Sequence, residues 1–228
     1  GAEVPVLRSL WIDRTGGTTF AYRLDCNSKK HTITARLLRN PAVADVEDGT
    51  SRRSSVTCPL CGFTTPRAHV EHQAVARGLG QRLLAVVARD ASGKVYREPS
   101  QEDYVALDGA SRLCKALKPD AFLVDAELPY LRSIFNVHIY GMRHWRDLFS
   151  SRQFVYMTCL ADTARELVEK RKDLSPQQRL VLRVASAFVV DKIATLACNI
   201  TRWRNDSGRM EGAFSMMALP MVWDWAEW

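Results

Sequence analysis

The sequence has no apolar run of the ~18 to 20 residues that a membrane-spanning helix needs. Its richest stretch, Leu180 to Ile200, is broken by Arg183, Asp191 and Lys192. No membrane partner is therefore expected. Cysteine is sparse, with six residues at positions 26, 58, 61, 114, 159 and 198, and only one pair is closely spaced. That is too few for a small disulfide-stapled scaffold. The expectation is a reducing, cytoplasmic compartment in which four of the six act as small buried hydrophobes. The opening Gly1-Ala-Glu-Val-Pro5 lacks both an initiator Met and a signal-peptide layout. It reads as the start of a piece cut from a longer chain. The apolar, aromatic stretch Phe214 to Trp228 reads as a second cut, because ending there would leave it without a partner.

Acidic charge is also in deficit, at 25 Asp and Glu against 32 Lys and Arg, giving a net charge of +7 and a pI near 9.3. Such a balance favours a polyanionic partner, nucleic acid above all. Hydrophobic content of 46% excludes disorder as the default state. A chain of 228 residues is long enough for one large domain or two small ones.

Residues 1–97 read as β-rich. Val6 to Ile12, Thr18 to Leu24, His31 to Leu38 and Leu83 to Ala88 are short runs rich in β-branched, aromatic or apolar residues. Turn-forming segments, Arg14 to Gly17, Asn27 to Lys30 and Ser92-Gly93, separate or follow them. Residues 98–228 read as mainly helical. Ser100 with Asp103 predicts a capped helix that runs to about Leu117 and is ended by Lys118-Pro119. Ser150 or Ser151 caps a second helix, with Phe154, Met157, Ala161, Ala164 and Val168 on one face. Ser175-Pro176-Gln-Gln178 starts a third, whose apolar stripe includes Leu180, Val184, Ala187, Phe188, Ala194 and Leu196. The fold class expected is α+β.

The one chemistry-bearing motif is Cys58-Pro-Leu-Cys61-Gly62. Two thiolates at this spacing can face one zinc ion, and the Gly permits the tight turn that aims backbone N–H groups at sulfur. A redox pair is a rival reading, although such sites open a helix in a βαβ setting. An incidental pair is another. Structural zinc takes four ligands, so two more are required. Gly1-to-Pro5 and Gly62-to-Pro66 share G-x-x-x-P, which suggests that another C-x-x-C stands directly before Gly1. His69-x-x-His72 is the rival completion, at a spacing shorter than that of two-Cys-two-His fingers. Cys26 and His31 are weaker candidates still.

Three cationic clusters are candidate DNA contacts. Arg52, Arg53, Arg67, Arg77 and Arg82 flank the motif. Arg143, His144, Trp145 and Arg146 mix cations with an aromatic, and Arg202, Trp203, Arg204 and Arg209 repeat the mix. They suit phosphate contact and base stacking. The competing reading, favoured for each cluster taken singly, makes Trp145 and Trp203 core residues ringed by solvated arginines. Arg52, Arg53, Arg67, Arg143, Trp145, Arg146, Arg202 and Arg204 are the nucleic-acid candidates. Asp147, Asp224 and Glu227 lie among aromatics as acceptors rather than catalytic groups.

Several blocks resemble one family. Gly1 to Trp11 looks like the segment after the first knuckle of prokaryotic adenine-specific DNA methylases that contain a zinc ribbon. Ser55-Val-Thr-Cys58-Pro-Leu-Cys61-Gly-Phe-Thr-Thr-Pro66 resembles their second knuckle, and Gly78 to Val87 the strand that follows. Tyr140-Gly-Met-Arg-His-Trp-Arg-Asp-Leu-Phe-Ser-Ser-Arg-Gln153 resembles their Y-G-x-x-x-W-x-D-L-F-x-x-R-Q signature. Ala218-Leu-Pro-Met-Val-Trp-Asp224 resembles their A-L-P-M-V-W-D stretch. The resemblance implies a zinc-ribbon module inserted in a Rossmann-like methyltransferase. The parent enzyme would use S-adenosylmethionine on adenine in DNA, in restriction or phage defence, in a prokaryotic cytoplasm. It assigns zinc to Cys58 and Cys61 alone. The family's cofactor motif and its D-P-P-[YF] motif are absent from these 228 residues, and Gly78-x-Gly80 precedes a strand instead of following one. No catalytic residue is therefore assigned, and the remainder of the methyltransferase chain becomes an expected partner. The alternatives are a zinc-ribbon nucleic-acid module of a non-methylase protein and a purely structural or interaction module.

Overall fold

The structure, a computed structural model, describes residues 1–117, 126–131, 134–215 and 218–227. It is mixed α+β, with small antiparallel sheets. The chain forms two compact units. Unit one comprises Gly1–Asp103, Ile139–Gly141 and Trp203–Met210. Unit two comprises Tyr104–His138, Met142–Arg202 and Glu211–Trp228. The division expected from composition fell between residues 97 and 98.

In unit one, β1 (Trp11–Asp13), β2 (Phe20–Asn27) and β3 (Thr32–Arg39) form an antiparallel sheet in that order. A second sheet joins β4 (Ser51–Arg52), β5 (Ser55–Thr57) and β6 (Thr64–Thr65). Helix α1 (Arg67–Arg77) follows, then the hairpin of β7 (Val86–Asp90) and β8 (Gly93–Arg97). Three sequence expectations shift here. The Val6-to-Ile12 run pairs as a strand only from Trp11. Leu83-to-Ala88 starts its strand at Val86. Helix α1 falls where only β structure was expected. It has no side-chain cap, since Pro66 stands at the N-cap, so the usual start signal is missing. Val70 and Ala74, four residues apart, are its buried contacts.

Residues 5–7 are extended because they serve as an edge for β4. The Thr50 hydroxyl donates to the Pro5 carbonyl at 2.5 Å and accepts the Leu7 N–H at 2.9 Å. The Ser51 N–H donates to the Leu7 carbonyl at 2.9 Å. Gly49 lies so close that a Cβ would sit 2.4 Å from the Arg8 carbonyl carbon. A second lock surrounds Asp13, a buried carboxylate. It accepts from Tyr96 Oη, Thr15 N and Thr15 Oγ1. Lys94 Nζ bonds the Gly208 carbonyl beside it. Burial pushes the Asp13 pKa up, but these hydrogen bonds and the Lys94 charge outweigh it and hold it below the usual carboxylate value. Trp203 Nε1 donates to the Ile12 carbonyl at 2.6 Å, tying the returning tip 203–210 to β1. Tyr140 is buried, and Gly141, at φ 88°, would place a Cβ 3.4 Å from the Ala74 carbonyl of α1. The left-handed φ, rather than the ordinary contact distance, is what favours glycine at 141.

Helix α2 (Gln101–Ala116) begins as expected: the Ser100 N–H donates to Asp103 Oδ2 at 2.7 Å, and Arg97 grips both Asp103 oxygens. The helix buries none of its residues. The expected stop at Lys118-Pro119 lies outside the described residues. In unit two, α3 (Ser151–Lys170) and α4 (Pro176–Ala194) carry complete capping boxes at Ser150/Gln153 and Ser175/Gln178. Phe154, Met157 and Val168 are buried on α3 as the spacing predicts. On α4 only Val190 is buried; Leu180, Phe188 and Val181 are 61%, 69% and 69% exposed. Of the expected apolar stripe, Leu180, Val184, Ala187 and Phe188 face solvent, Ala194 packs beside Val190, and Leu196 lies beyond the end of the helix. The short strands β9 (Arg202–Arg204) and β10 (Arg209–Glu211) form a further two-stranded sheet.

The unit-two core gathers Leu128, Val137, Leu148, Cys198, Ile200, Leu219 and Val222, with Trp145, Phe149 and Trp225 packed at its edge. One expectation about cysteine is corrected. Of Cys26, Cys114, Cys159 and Cys198, only Cys198 is buried; Cys26 and Cys159 are exposed. Cys26 lies near the β2–β3 turn, and Cys159 falls on the solvent face of α3. Among the described residues no helix is long and apolar enough to cross a membrane.

Two outcomes follow for stability. Gly49→Ala is expected to destabilise unit one by at least ~2 kcal/mol in urea unfolding, the upper part of the overpacking range, because backbone must move to admit the methyl. Gly17→Ala, with nothing within 4 Å of its Cβ, serves as the neutral control. The depressed Asp13 pKa contributes stability that is present above the unfolded carboxylate value and lost as pH falls through the folded one. Asp13→Asn should therefore lower stability at pH 7 and flatten the acid limb of a stability–pH curve. An unchanged acid limb would contradict this assignment.

Candidate metal centre

The Cys58–Cys61 motif is built by the β5–β6 hairpin. Strand β5 ends at Thr57 and the chain turns over Cys58 to Phe63. The Gly62 N–H donates to the Cys58 carbonyl at 2.8 Å, and the Cys58 N–H donates to the Phe63 carbonyl at 2.9 Å. Gly62 adopts φ 72°, the left-handed region that a side chain disfavours. The Thr57 and Thr64 hydroxyls meet across the strands at 2.9 Å. Burial pushes the Cys58 thiol up, but the backbone N–H groups of Cys61 and Leu60 and the Cys61 thiol outweigh it, so its pKa lies below the ordinary cysteine value. The turn thus favours thiolate at Cys58 before any metal arrives. By contrast, burial and the neighbouring Cys58, Glu47 and Asp25 charges raise the Cys26 thiol.

The residues present fit zinc as half of a site. Cys58 is half-buried and Cys61 exposed. Among the described residues no third His, Cys, Asp or Glu joins them in a group able to hold a metal. His69 and His72 lie on α1 and are exposed, and they do not converge on the sulfurs. A zinc ion here would take Cys58 and Cys61 as two ligands and would supply structural cross-linking rather than chemistry. The residues do not fit S-adenosylmethionine. Gly78 is the C-terminal cap of α1 at φ 75°, leading towards β7 rather than out of a strand.

The nucleic-acid candidates are divided between the units. In unit one, Arg52 ends β4, and Arg53 occupies the β4–β5 turn at φ 51°, followed by Ser54 at φ 66°. Arg67 opens α1 and pairs with Glu71. Arg204 pairs with Asp206. In unit two, Arg202 pairs with Glu211, and the Arg146 guanidinium lies 5.5 Å from the Phe154 ring. Arg143 is exposed. The Trp145 ring packs on the core, and the residue's backbone N–H donates to the Ala126 carbonyl at 3.1 Å. Only Arg52, Arg53 and Arg143 therefore keep guanidiniums without a carboxylate or ring partner among the described residues. The acceptor roles expected nearby are filled by structure. Asp147 accepts the Arg143 and His144 N–H groups at 2.8 and 2.9 Å. Glu227 accepts from Ser150 Oγ at 2.8 Å and pairs with Arg152 at 2.6 Å. The Asp13–Tyr96–Lys94 cluster escaped sequence reasoning, because its members lie 83 residues apart and carry no spacing signal.

Alkylation of the metal-free chain checks the turn electrostatics. Cys58 should react with iodoacetamide at a lower pH than Cys26, followed site by site with peptide mass spectrometry. Equal pH midpoints would show that the turn amides do not act on the Cys58 sulfur.

No protein-family model, no curated protein and no solved structure matches this chain.

Proposed function

We propose that this chain is a segment of a prokaryotic zinc-ribbon adenine-specific DNA methyltransferase, contributing DNA engagement and scaffolding to an S-adenosylmethionine-dependent enzyme of restriction or phage defence. The reading rests on the resemblance of the blocks quoted above. The observation that carries it furthest is the packing of the two signature blocks into one core. Leu148 of the first lies with Leu219 and Val222 of the second, and Arg152 and Ser150 of the first hold Glu227 just beyond the second. The Leu219 N–H also donates to the Ile134 carbonyl at 2.7 Å. Segments some seventy residues apart in sequence are thus parts of one folded body, as the resemblance expects of them.

Two further features support the same reading. The Cys58–Cys61 turn is organised as a knuckle of a zinc ribbon would be, supplying two of the four ligands. The exposed α4 face, with Leu180, Val181, Val184 and Phe188, is a docking surface for the remainder of the methyltransferase chain, since a helix apolar on most of its circumference normally lies buried. A methylase must extrude its target base and hold the duplex meanwhile. Grip of that kind comes from Lys and Arg on phosphates, and this chain supplies cations for it.

The test uses the full-length gene product. Host DNA from cells producing it should contain N6-methyladenine by nucleoside mass spectrometry, and the Cys58→Ser/Cys61→Ser variant should lose one zinc per chain by elemental analysis. No adenine methylation in cells and none in vitro with S-adenosylmethionine would reject the methylase and favour a nucleic-acid-binding or structural module. Zinc content unchanged by the double variant would reject the knuckle as a metal site.

A further inference from the structure

The β2–β3 hairpin is the longest paired element of unit one, with eight residues in each strand. Strand β1 meets it only at its base, pairing with Phe20 and Ala21. Towards the other end every residue from Cys26 to Thr32 is exposed. The four-residue turn Ser28-Lys29-Lys30-His31 is held by the Lys30 N–H, which donates to Asn27 Oδ1 at 3.0 Å, and by His31 at φ 50°. It is a defined turn carrying two adjacent lysines, neither with a carboxylate partner among the described residues.

Below the tip, Arg23 stands directly opposite Arg36 in the register. Like charges directly opposite on paired strands are unfavourable. Here one carboxylate, Asp25, serves both, with Oδ1 at 3.1 Å from Arg23 Nε and Oδ2 at 2.8 Å from Arg36 Nε. Each guanidinium spends only its Nε on this clamp. The terminal Nη groups of both take no other side chain among the described residues, and both arginines are exposed. The sheet alternation puts Arg23, Arg36 and Asp25 on one face. The hairpin therefore presents four cations against one fully engaged carboxylate. The charge excess is also concentrated in this unit, with 17 Lys and Arg against 12 Asp and Glu, compared with 15 against 13 in unit two.

We infer that the distal β2–β3 ribbon, Arg23 to Arg36, is a contact surface for duplex DNA, with Lys29 and Lys30 taking phosphates and the Arg23–Arg36 pair presented along the groove wall. The dimensions suit this. A two-stranded ribbon with its side chains enters the ~12 Å major groove, and eight residues at ~3.3 Å each reach about 26 Å. The Asp25 clamp fixes both guanidiniums in place, so less side-chain freedom is lost when their Nη groups meet phosphate. This inference rests on the DNA-engaging role proposed above and places it on residues outside the cationic clusters of the sequence.

The test is fluorescence anisotropy of the full chain with a labelled mixed-sequence duplex of about 20 base pairs, titrated at several salt concentrations. Lys29→Gln/Lys30→Gln should weaken binding roughly tenfold near 0.1 M salt and reduce the slope of log K against log salt by close to two, at ~0.9 per phosphate contact. Both side chains are exposed and hold nothing, so thermal unfolding should be unchanged. Lys172→Gln/Lys192→Gln, which removes the same charge from unit two, should leave the slope within half a unit of the parent. A parent that binds while the tip variant keeps the full slope, or a control variant that matches the tip variant, overturns the ribbon and leaves the DNA role standing. A parent that binds single strands ten times more tightly than duplex overturns the groove contact. A parent with no salt-dependent binding even at low salt overturns both.

Discussion

The Thr50 hydroxyl governs how unit one is assembled. It is buried and bridges two backbone groups from one distant segment, the Pro5 carbonyl and the Leu7 N–H. Gly49 next to it runs in contact with the Leu7–Arg8 peptide, an approach no side chain permits. From Thr50 the constraint passes along the sheet. Its carbonyl accepts the Thr57 N–H at 2.8 Å, Ser51 pairs with Val56, and Val56 pairs with Thr65. Thr57 leads directly into Cys58. The register that presents the two sulfurs is therefore tied to a residue eight positions upstream and to an extended segment at the opposite edge of the same strand. Two-residue strands such as β4 and β6 have little pairing of their own, and a hydrogen bond costs far more when a buried partner is left unmade than it gains when satisfied. That asymmetry is why a single hydroxyl can decide the register.

Local signals were legible in the sequence wherever a side chain acts on its own backbone. Ser100, Ser150 and Ser175 each cap the helix assigned to them, and Gln153 and Gln178 close their boxes because N3 residues reach the cap amide without tertiary help. The Gly62 turn was legible for the same reason. Helix α1 was not, because Pro66 offers no oxygen to its first amides and the helix is held by Val70 and Ala74 against other elements. The strand expected over Val6 to Ile12 is shorter in the structure, where β1 begins at Trp11. Its β-branched and apolar residues are present, but Pro5 to Leu7 are held by the Thr50 hydroxyl and a single backbone bond from Ser51 rather than by a full strand ladder. The cysteines were misjudged because hydrophobicity alone does not place a small residue. Cys26 alternates onto the exposed end of a ribbon, whereas Cys198 falls in the unit-two core.

Charge had to be sorted by pairing before it said anything about partners. Composition counts every arginine equally, yet Arg67, Arg202 and Arg204 are engaged by Glu71, Glu211 and Asp206. A guanidinium matched by a carboxylate of its own brings little net charge to a phosphate, whereas Arg23 and Arg36 share the single carboxylate of Asp25. Trp145 shows the same point for aromatics, since it is partly buried and packs against the Leu148 and Val222 cluster. Among the cations left over, Arg53 and Lys29-Lys30 lie at turns. Turn residues have few neighbours, so nothing intercepts their charge.

The knuckle and the α4 face pose one physical problem in two forms. On the proposed function, each is prepared for a partner at some cost in the absence of that partner. Holding Cys58 towards thiolate uses backbone N–H groups that would otherwise bond carbonyls or water, and Gly62 must adopt a left-handed turn. Leaving Leu180, Val181, Val184 and Phe188 in water forgoes about 25 cal/mol for every Å² of apolar surface that could have been buried. Such costs are tolerable when the rest of the chain overdetermines the local structure. The β5–β6 ladder and the Thr50 bridge do so for the turn. The capping box at Ser175 and the α3 contacts at Val190 do so for the helix. Preorganisation of this kind reduces the ordering that binding would demand. For a metal, two fixed sulfurs remove part of the loop-closure entropy before the ion arrives, so the remaining ligands need contribute only the balance.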